Sequence, residues 1–161
     1  MNEKIVIRAA VKDDLPELLT FEQEVINAER PFDPTIKEGK VTYYNLEDLL
    51  ENPRALVLVA CDRNRIVATG YGLEKPARHY LDHETYAYLG FMYTDPNYRG
   101  KGINGAIISR LQKWAKELGL LELRLTVYDD NDPAIRAYEK VGFKKHIIEM
   151  RLRTHTLDSN A

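Results

Sequence analysis

The stretch YRGKGINGAII, residues 98 to 108, constrains the fold more than any other part of the sequence. It follows a run of strand-forming residues at 84–94, and it leads into an amphipathic run at 102–118 whose apolar residues recur at helical spacing. A strand that enters a helix through glycines directs several backbone N–H groups and the positive end of the helix dipole at one point. The stretch therefore predicts a strand, an anion-binding turn and a helix in succession.

The remainder of the chain divides into strands and helices by the same periodicities. Alternating or β-branched runs predict strands at 4–9, 55–61, 65–74, 84–94, 121–128 and 143–153. Helical spacing predicts helices from Asp13 or Asp14 to about 27, at 45–50, at 102–118 and at 132–141. A tight turn at 62–64 makes the second and third strands an antiparallel hairpin, whereas the alternation of strands and helices from 84 to 153 is a crossover pattern. We expect a mixed α/β sheet with helices on both faces.

Helix boundaries carry recognisable signals. Asp13 or Asp14 is expected to cap the first helix, and Asp132, followed by a proline, is expected to cap the last. Glycines stand just beyond two helix ends, Gly119 and Gly142, where a left-handed residue often terminates a helix.

Composition and charge narrow the classes of function. The 161 residues include 23 Lys and Arg against 25 Asp and Glu, so there is no overall basic field for nucleic acid or an anionic membrane. No stretch approaches the ~20 apolar residues of a membrane span, and the charged start MNEKIVIRAA does not fit a signal peptide. We expect a cytoplasmic protein with a single domain at 1–153 and a frayed tail at 154–161. The single cysteine, Cys61, lies in a buried-strand pattern and is expected in the core.

By itself the glycine stretch leaves two interpretations open. The phosphate-loop pattern GxxxxGK[ST] is absent, and a dinucleotide pattern is matched only loosely at Gly100, Gly102 and Gly105, without an acidic residue about twenty positions on. The stretch is therefore either an anion site of another kind or only a tight turn.

A second sequence motif supports the interpretation of the glycine stretch as an anion site. The run DDNDPAIRAYEKVGF at 129–143, preceded by YTDPNYRGKGINGAII, resembles the two core motifs of the GNAT superfamily of acyl-CoA-dependent N-acetyltransferases. The combined match covers roughly residues 84 to 145. The resemblance implies a mostly antiparallel mixed sheet of six to seven strands, about four flanking helices and a splayed parallel pair of strands at a cofactor cleft.

The resemblance also implies acetyl-CoA as the cofactor and assigns residues to it. Backbone groups at the end of the 84–94 strand would align the pantetheine arm and polarise the thioester, the glycine loop would wrap the pyrophosphate, and an asparagine would hold the cofactor from the other side. These residues are Met92, Tyr93, Thr94, Arg99, Gly100, Lys101, Gly102, Ile103, Asn104, Gly105 and Asn131. Asn104 departs from the family pattern, which has Gly or Ala there, although its side chain can donate to a phosphate.

The chemistry requires an acid and a base. Tyr138 matches the general acid of the family, which would lend a proton to the departing thiolate. An alkylamine, with a pKa near 10.4, must lose a proton before it attacks. Neither Tyr88 nor Gly90 is an obvious base, so the sequence leaves two candidates: a water chain from Glu84 past Tyr88, or a carboxylate of the loop after the first helix. Those loop carboxylates are Glu29 and Asp33, which with Glu22 are also expected to form an acidic wall for a cationic amine.

The sequence is consistent with two functions. The leading interpretation is an acetyl-CoA-dependent N-acetyltransferase acting on a primary amine of a small molecule or a protein, and the alternative is a catalytically silent acyl-CoA-binding sensor or interaction module. No metal is expected, because His79 and His83 lack a third ligand at a recognisable spacing. The open edges of a mixed sheet favour a homodimer.

Overall fold

The computed structural model describes residues 4–154 and arranges them as a sheet with helices on both faces. The short 3₁₀ turns Lys12–Asp14 and Arg30–Phe32 flank the first helix, and Pro96–Tyr98 follows the fourth strand. The predicted tail, apart from residue 154, lies outside the described residues. In chain order the elements are β1 (Ile5–Ala9), α1 (Leu15–Glu29), α2 (Leu46–Glu51), β2 (Ala55–Asp62), β3 (Arg65–Pro76), β4 (Thr85–Thr94), α3 (Ile103–Glu117), β5 (Leu123–Arg124) and α4 (Asp132–Lys140).

The sheet follows the chain, with strand order β1-β2-β3-β4-β5. The first four strands pair antiparallel, whereas β4 and β5 pair parallel, joined by the crossover through α3. Asp62 pairs with Arg65, so the β2–β3 hairpin turns within two residues, and Arg63 takes a left-handed φ of 58° there. The predicted mixed, mostly antiparallel sheet with one parallel pair is confirmed.

The number of strands is lower than expected. The sheet has five strands rather than six or seven, because residues 143–153 do not form a strand in the described chain. The fifth strand, β5, is also shorter than predicted, with only two residues. Alternation and β-branched residues reflect side-chain preference, but a strand exists only where a neighbouring edge completes its hydrogen bonds. Residues 125–128 have moved away from β4, and no paired edge reaches 143–153.

The helices cover the two faces of the sheet separately, as predicted. On one face α1 and α2 enclose a core that includes Leu18, Leu49 and Phe91. On the other face α3 packs across β2, β3 and β4 through Ile107 and Leu111. Within residues 4–154, no helix is both long and apolar enough to cross a membrane.

Asp14 occupies the N-cap position of α1 as predicted, although without a capping hydrogen bond, whereas the predicted cap of α4 is wrong. The Asp14 side chain makes no cap bond to α1; it accepts the Val11 N–H and pairs with the Arg8 guanidinium at 2.7 Å. The cap of α4 is Asn131, one residue before the expected Asp132. The two terminal glycines are confirmed, since Gly119 and Gly142 have φ values of 76° and 110°.

Glu22 is not part of an exposed acidic wall. Its side chain is 1% exposed within α1, and one carboxylate oxygen accepts the backbone N–H groups of Tyr43 and Tyr44 at 3.0 and 2.8 Å. A buried carboxylate is tolerated when hydrogen bonds replace its hydration. Glu22 therefore ties the loop between α1 and α2 to the helix and fixes where both tyrosines stand.

We expect Glu22→Ala to lower the free energy of unfolding by about 3 kcal/mol, because it leaves two backbone donors without their acceptor. Urea denaturation of the purified protein measures this. The exposed Thr20 of the same helix provides the control, since Thr20→Ala is expected to change stability by no more than about 0.5 kcal/mol. Equal effects of the two substitutions would contradict the role of Glu22.

Candidate active site

A cleft opens where β4 and β5 part. The two strands share only the pairs Ala87–Leu123 and Tyr88–Arg124, after which β4 continues to Thr94 without a ladder partner on that edge among residues 4–154. The hydroxyl groups of Tyr88 and Thr126 are 3.2 Å apart across the point of divergence. The backbone of 89–94 is therefore left with hydrogen-bonding groups that an extended ligand can use.

A bulge in β4 shapes this edge. Thr69 pairs with Tyr93 and Tyr71 with Gly90, so one residue of β3 faces two of β4, Phe91 and Met92. Phe91 has a φ of 56°, which is strained for an aromatic residue, and its carbonyl accepts the buried Thr69 hydroxyl at 2.8 Å. Bulges re-aim the backbone next to active sites, and here the affected groups are those of Met92 and Tyr93.

The glycine loop lies at the far end of β4. Gly100 and Gly102 have φ values of 76° and 80°, and Gly102 is the left-handed residue from which α3 begins. A side chain at either glycine would meet no atom of this chain within 4 Å, so backbone conformation, and not crowding within the chain, requires glycine. The first N–H groups of α3, at 103–105, have no acceptor within the helix and are directed out of its N-terminus.

The two cations of the loop are held by neighbouring rings. The Arg99 side chain donates to the Thr94 carbonyl at 3.0 Å, and its guanidinium lies 5.6 Å from the centre of the Tyr93 ring. The Lys101 ammonium lies 5.1 Å from the centre of the Tyr98 ring. Both residues belong to the turn directly before α3, so their charge adds to the positive end of the helix dipole, which favours anions.

Asn131 caps α4, and Tyr138 lies within this helix. The Asn131 side-chain oxygen accepts the Ala134 N–H at 3.4 Å, which leaves the side-chain amide N–H groups for another acceptor. Tyr138 is partly buried and packs edge-to-face on Phe143 at 6.0 Å. Burial first, and then the charges of Glu29 and Tyr88, raise the pKa of Tyr138 to about 12, so its phenol is protonated throughout the physiological range.

Glu29 stands at the end of α1 among tyrosines. Burial is the main reason that the pKa of its carboxyl group lies above the ordinary range, and a hydrogen bond from Tyr43 opposes the shift. The Glu29 charge in turn raises the pKa of Tyr43, Tyr44, Tyr128 and Tyr138, after the effect of burial on each. The described chain therefore gathers one partly buried carboxylate and four phenols into one cluster, in which the Glu29 charge acts on every phenol. Sequence reasoning missed Tyr128, whose only signal was its place at the end of a predicted strand.

The pKa of Asp33 is shifted in the opposite direction from that of Glu29. Its carboxylate accepts the hydroxyl and the backbone N–H of Thr35 at 2.5 and 2.9 Å and pairs with Arg151 at 3.1 Å. The Thr35 bonds, and then Arg151, lower the pKa of Asp33 to about 2. Its charge is already balanced within the chain, although Tyr128 also points its hydroxyl at this carboxylate from 3.5 Å.

The structure does not bring Glu84 to the cluster of tyrosines around Glu29. Glu84 is exposed before β4 begins, and four residues of extended chain separate it from Tyr88 by about 13 Å. Tyr86 lies between them, and its ring is covered by the Arg124 guanidinium at 4.0 Å. Any proton path from Glu84 must therefore run through several waters.

The two histidines considered for a metal have other contacts. His83 bonds to Asp82 at 2.8 Å and to Arg124 at 3.0 Å, while His79 packs against Tyr80. In the part of the chain that the structure describes, no three His, Cys, Asp or Glu side chains form a group that could hold a metal ion.

Comparison with known proteins gives consistent matches. The profile of the acetyltransferase (GNAT) family matches residues 22–143. An acetyltransferase of Sodalis glossinidius is 32% identical over 142 residues, which is 86% of each chain.

Solved structures share the fold at low identity. A predicted acetyltransferase of Clostridium acetobutylicum, solved with acetyl-CoA, matches with a TM-score of 0.71 and 21% identity over 92% of this chain and 96% of its own. A mutant protein of Bacillus halodurans matches with a TM-score of 0.79 and 22% identity over 92% and 98%. At this identity the structural matches show the fold alone.

We expect Thr69→Val to lower the free energy of unfolding by about 1–3 kcal/mol, because the buried Phe91 carbonyl loses its donor while the side-chain volume is nearly kept. Urea denaturation again measures the change. Thr42→Val, at an exposed loop position, is the matched control and should be close to neutral. A neutral Thr69→Val would show that the bulge does not depend on this hydrogen bond.

Proposed function

We propose that this chain, which belongs to the acetyltransferase (GNAT) family, moves the acetyl group of acetyl-CoA to a primary amine by direct attack within a ternary complex. The acceptor would be a small molecule or an exposed protein amine. The proposal is supported by where the two family motifs fall: the glycine loop follows the unpaired edge of β4, and the charges of Glu29 and Tyr88 act on the Tyr138 phenol.

The cofactor would lie along β4. The loop N–H groups and cations at 99–105 would bind its pyrophosphate, and the backbone of Met92, Tyr93 and Thr94 would pair with the pantetheine arm. Asn131, whose amide N–H groups remain available, would hold it from α4. Asn104 would add a side-chain donor to the phosphates from the first turn of α3.

Charge that develops on the thioester oxygen needs a fixed donor. A backbone N–H of Met92 or Tyr93 would supply it, because the bulge turns this part of β4 away from regular pairing. The Thr69 bond to the Phe91 carbonyl would keep that donor in place during the reaction.

Tyr138 would act on the departing sulfur. Its pKa of about 12 lies above the ~8.5 of a free thiol, so complete proton transfer to the thiolate is unfavourable. Instead, the phenol would donate a short hydrogen bond to the departing thiolate, and solvent would complete the protonation of the sulfur. Tyr88, whose charge also influences Tyr138, would help to position the phenol or a water beside it.

Glu29 is the carboxylate best placed to receive the acceptor. It is partly buried among phenols, so its negative charge is weakly screened and would attract a cationic amine. The neutral form of the amine would attack through its nitrogen lone pair, and Glu29 would take the proton that this nitrogen releases as the C–N bond forms and the C–S bond breaks. Asp33, paired with Arg151, would shape the wall, and Glu84 would contribute only through waters.

A silent acyl-CoA-binding module is the second candidate. It is favoured by a specific observation: the β4 positions beside the point of divergence hold Tyr88 and Gly90, neither of which is a base at neutral pH. This function predicts CoA binding without amine-dependent release of thiol.

We expect amine-dependent release of CoA thiol from acetyl-CoA, assayed over amines, polyamines, aminoglycosides, amino acids and peptides, to fall at least about tenfold in Tyr138→Phe. Tyr80→Phe is the matched control, because Tyr80 is 64% exposed in the loop between β3 and β4. Release that survives Tyr138→Phe would remove Tyr138 from the mechanism. CoA that raises the melting temperature without any amine-dependent release would select the silent module.

Glu29→Gln should reduce kcat/KM by about 100-fold and flatten its acid limb. A carboxyl group with a raised pKa is ionised only above that pKa, so wild-type activity should fall as the pH drops through a range above that of an ordinary glutamate. The control is Asp33→Asn, which should keep the acid limb. An unchanged limb in Glu29→Gln would assign the base elsewhere.

A further inference from the structure

Lys75, in the last part of β3, is a cation without an anionic partner beside the candidate active site. It is half-buried, and its ammonium group lies 3.9 Å from the centre of the Tyr88 ring. Among residues 4–154 no carboxylate forms an ion pair with it. A cation that has lost part of its hydration and has only an aromatic ring in exchange is available to an anion from outside the chain.

The strand register places Lys75 on the face of the sheet that α1 covers. Lys75 pairs with Tyr86, and two residues earlier Leu73 pairs with Tyr88. Paired residues, and residues two apart on one strand, share a face of the sheet. Leu73 and Tyr88 pack against the core that contains Phe21 of α1. Lys75 therefore lies at one end of that face, and its side chain extends over Tyr88.

Tyr88 connects this cation to the surroundings of Glu29. It is the last residue of β4 that pairs with β5, and the centre of its ring lies 6.5 Å from that of Tyr71. Tyr71 in turn packs edge-to-face on Tyr44 at 5.6 Å, and Tyr44 is one of the tyrosines on which the Glu29 charge acts. A continuous row of aromatic rings therefore runs from Lys75 towards Glu29.

Other charged groups near these tyrosines are balanced within the chain. Asp33 is paired with Arg151 at 3.1 Å, and in β5 the Arg124 guanidinium bonds to the carboxylate of a neighbouring glutamate. Glu29 has no Lys or Arg partner in the part of the chain that the structure describes. Glu29 and Lys75 are therefore the two groups of opposite sign that an acceptor would find without a counter-charge.

These two charges place opposite demands on an acceptor. A polyamine or an aminoglycoside brings several positive charges, of which Glu29 balances one while Lys75 repels the others. An amine that also carries a carboxylate matches both groups, since its ammonium is attracted to Glu29 and its carboxylate to Lys75. The charge distribution therefore favours a dipolar acceptor over a polycation.

The position of Lys75 also bears on the length of the acceptor. The backbone from Tyr88, whose ring the ammonium covers, to Met92, beside which the thioester would lie, spans up to about 13 Å at ~3.3 Å per residue. A separation of this order favours an acceptor whose amine and carboxylate are several bonds apart over an α-amino acid, in which one carbon joins them.

We propose that Lys75 binds the carboxylate of the acceptor, and that the acceptor is a linear amine with a carboxylate several bonds from the nitrogen. This inference rests on the proposed acetyl transfer and names its substrate class. The carboxylate takes no part in bond making or breaking; it holds the amine in line with the thioester.

Calorimetric titration of the protein in the presence of CoA tests this recognition without requiring acetyl transfer. The ligands are ω-amino acids, alkylamines and α,ω-diamines, compared at equal chain length. The amino acid is expected to bind at least about tenfold more tightly than the alkylamine, because its carboxylate adds a charge-assisted contact with Lys75, and the diamine should bind most weakly. Equal affinities for the three ligands, or no binding of the amino acid, overturn the proposal.

Charge substitutions at Lys75 change the order of the ligands, which a loss of folding cannot do. Lys75→Gln should remove the advantage of the amino acid, Lys75→Arg should keep it, and Lys75→Glu should make the diamine the tightest ligand. Lys113→Gln, at an exposed position of α3 on the other face of the sheet, is the matched control and should bind like wild type. A Lys75→Glu variant that keeps the wild-type order overturns the proposal.

The release of CoA thiol from acetyl-CoA, measured with the same ligands, separates this inference from the transfer on which it rests. Amino acids that both bind best and release thiol fastest support the two together. Selective binding without release removes the transferase function and retains the carboxylate site at Lys75. Release that shows no preference for a carboxylate retains the transferase and overturns the inference.

Discussion

The divergence of β4 from β5 is the constraint on which the rest of the site depends. Two parallel pairs hold the strands together at Ala87 and Tyr88, and beyond them the bulge at Phe91 changes the direction of β4. A non-glycine residue at positive φ costs free energy, and it persists because Phe91 is buried and its carbonyl accepts the Thr69 hydroxyl. Without that divergence the β4 backbone would be paired with β5 and would have no groups left for a ligand.

Glu22, Glu29 and Asp33 carry the same chemical group, but their surroundings give the three carboxylates different properties. Glu22 is buried and satisfied by two backbone donors, so it acts as a structural tie. Asp33 is stabilised as an anion by Thr35 and Arg151. Glu29 alone of the three is desolvated among phenols with little compensation, which is the situation that shifts a carboxyl pKa upwards and makes it reactive towards a proton. The acceptor chemistry is therefore expected to centre on Glu29.

The sequence predicted most of the regular structure, and its errors share a cause. Helices with a strong apolar period, such as α3, were found to within a residue or two, and Gly119 and Gly142 terminate helices as expected. Asp14 occupies the predicted cap position without a capping bond, because short polar side chains can bond to several nearby donors and its carboxylate pairs with Arg8. The cap predicted at Asp132 was wrong by one residue, since Asn131 caps α4. The strand at 143–153 was wrong because alternation describes side chains, whereas a ladder also needs an edge within reach.

The sequence by itself determined the family, the mixed sheet and the glycine loop, and it selected Tyr138 as the candidate acid, because these depend on local periodicity and on residue types at fixed spacing. Tertiary structure alone decided which carboxylate is desolvated, that Tyr128 lies near Glu29 and Asp33, and that residues 144–153 form no strand. The reason is physical: burial, charge pairing and strand pairing depend on residues distant in the chain, and no local pattern specifies which of them will meet.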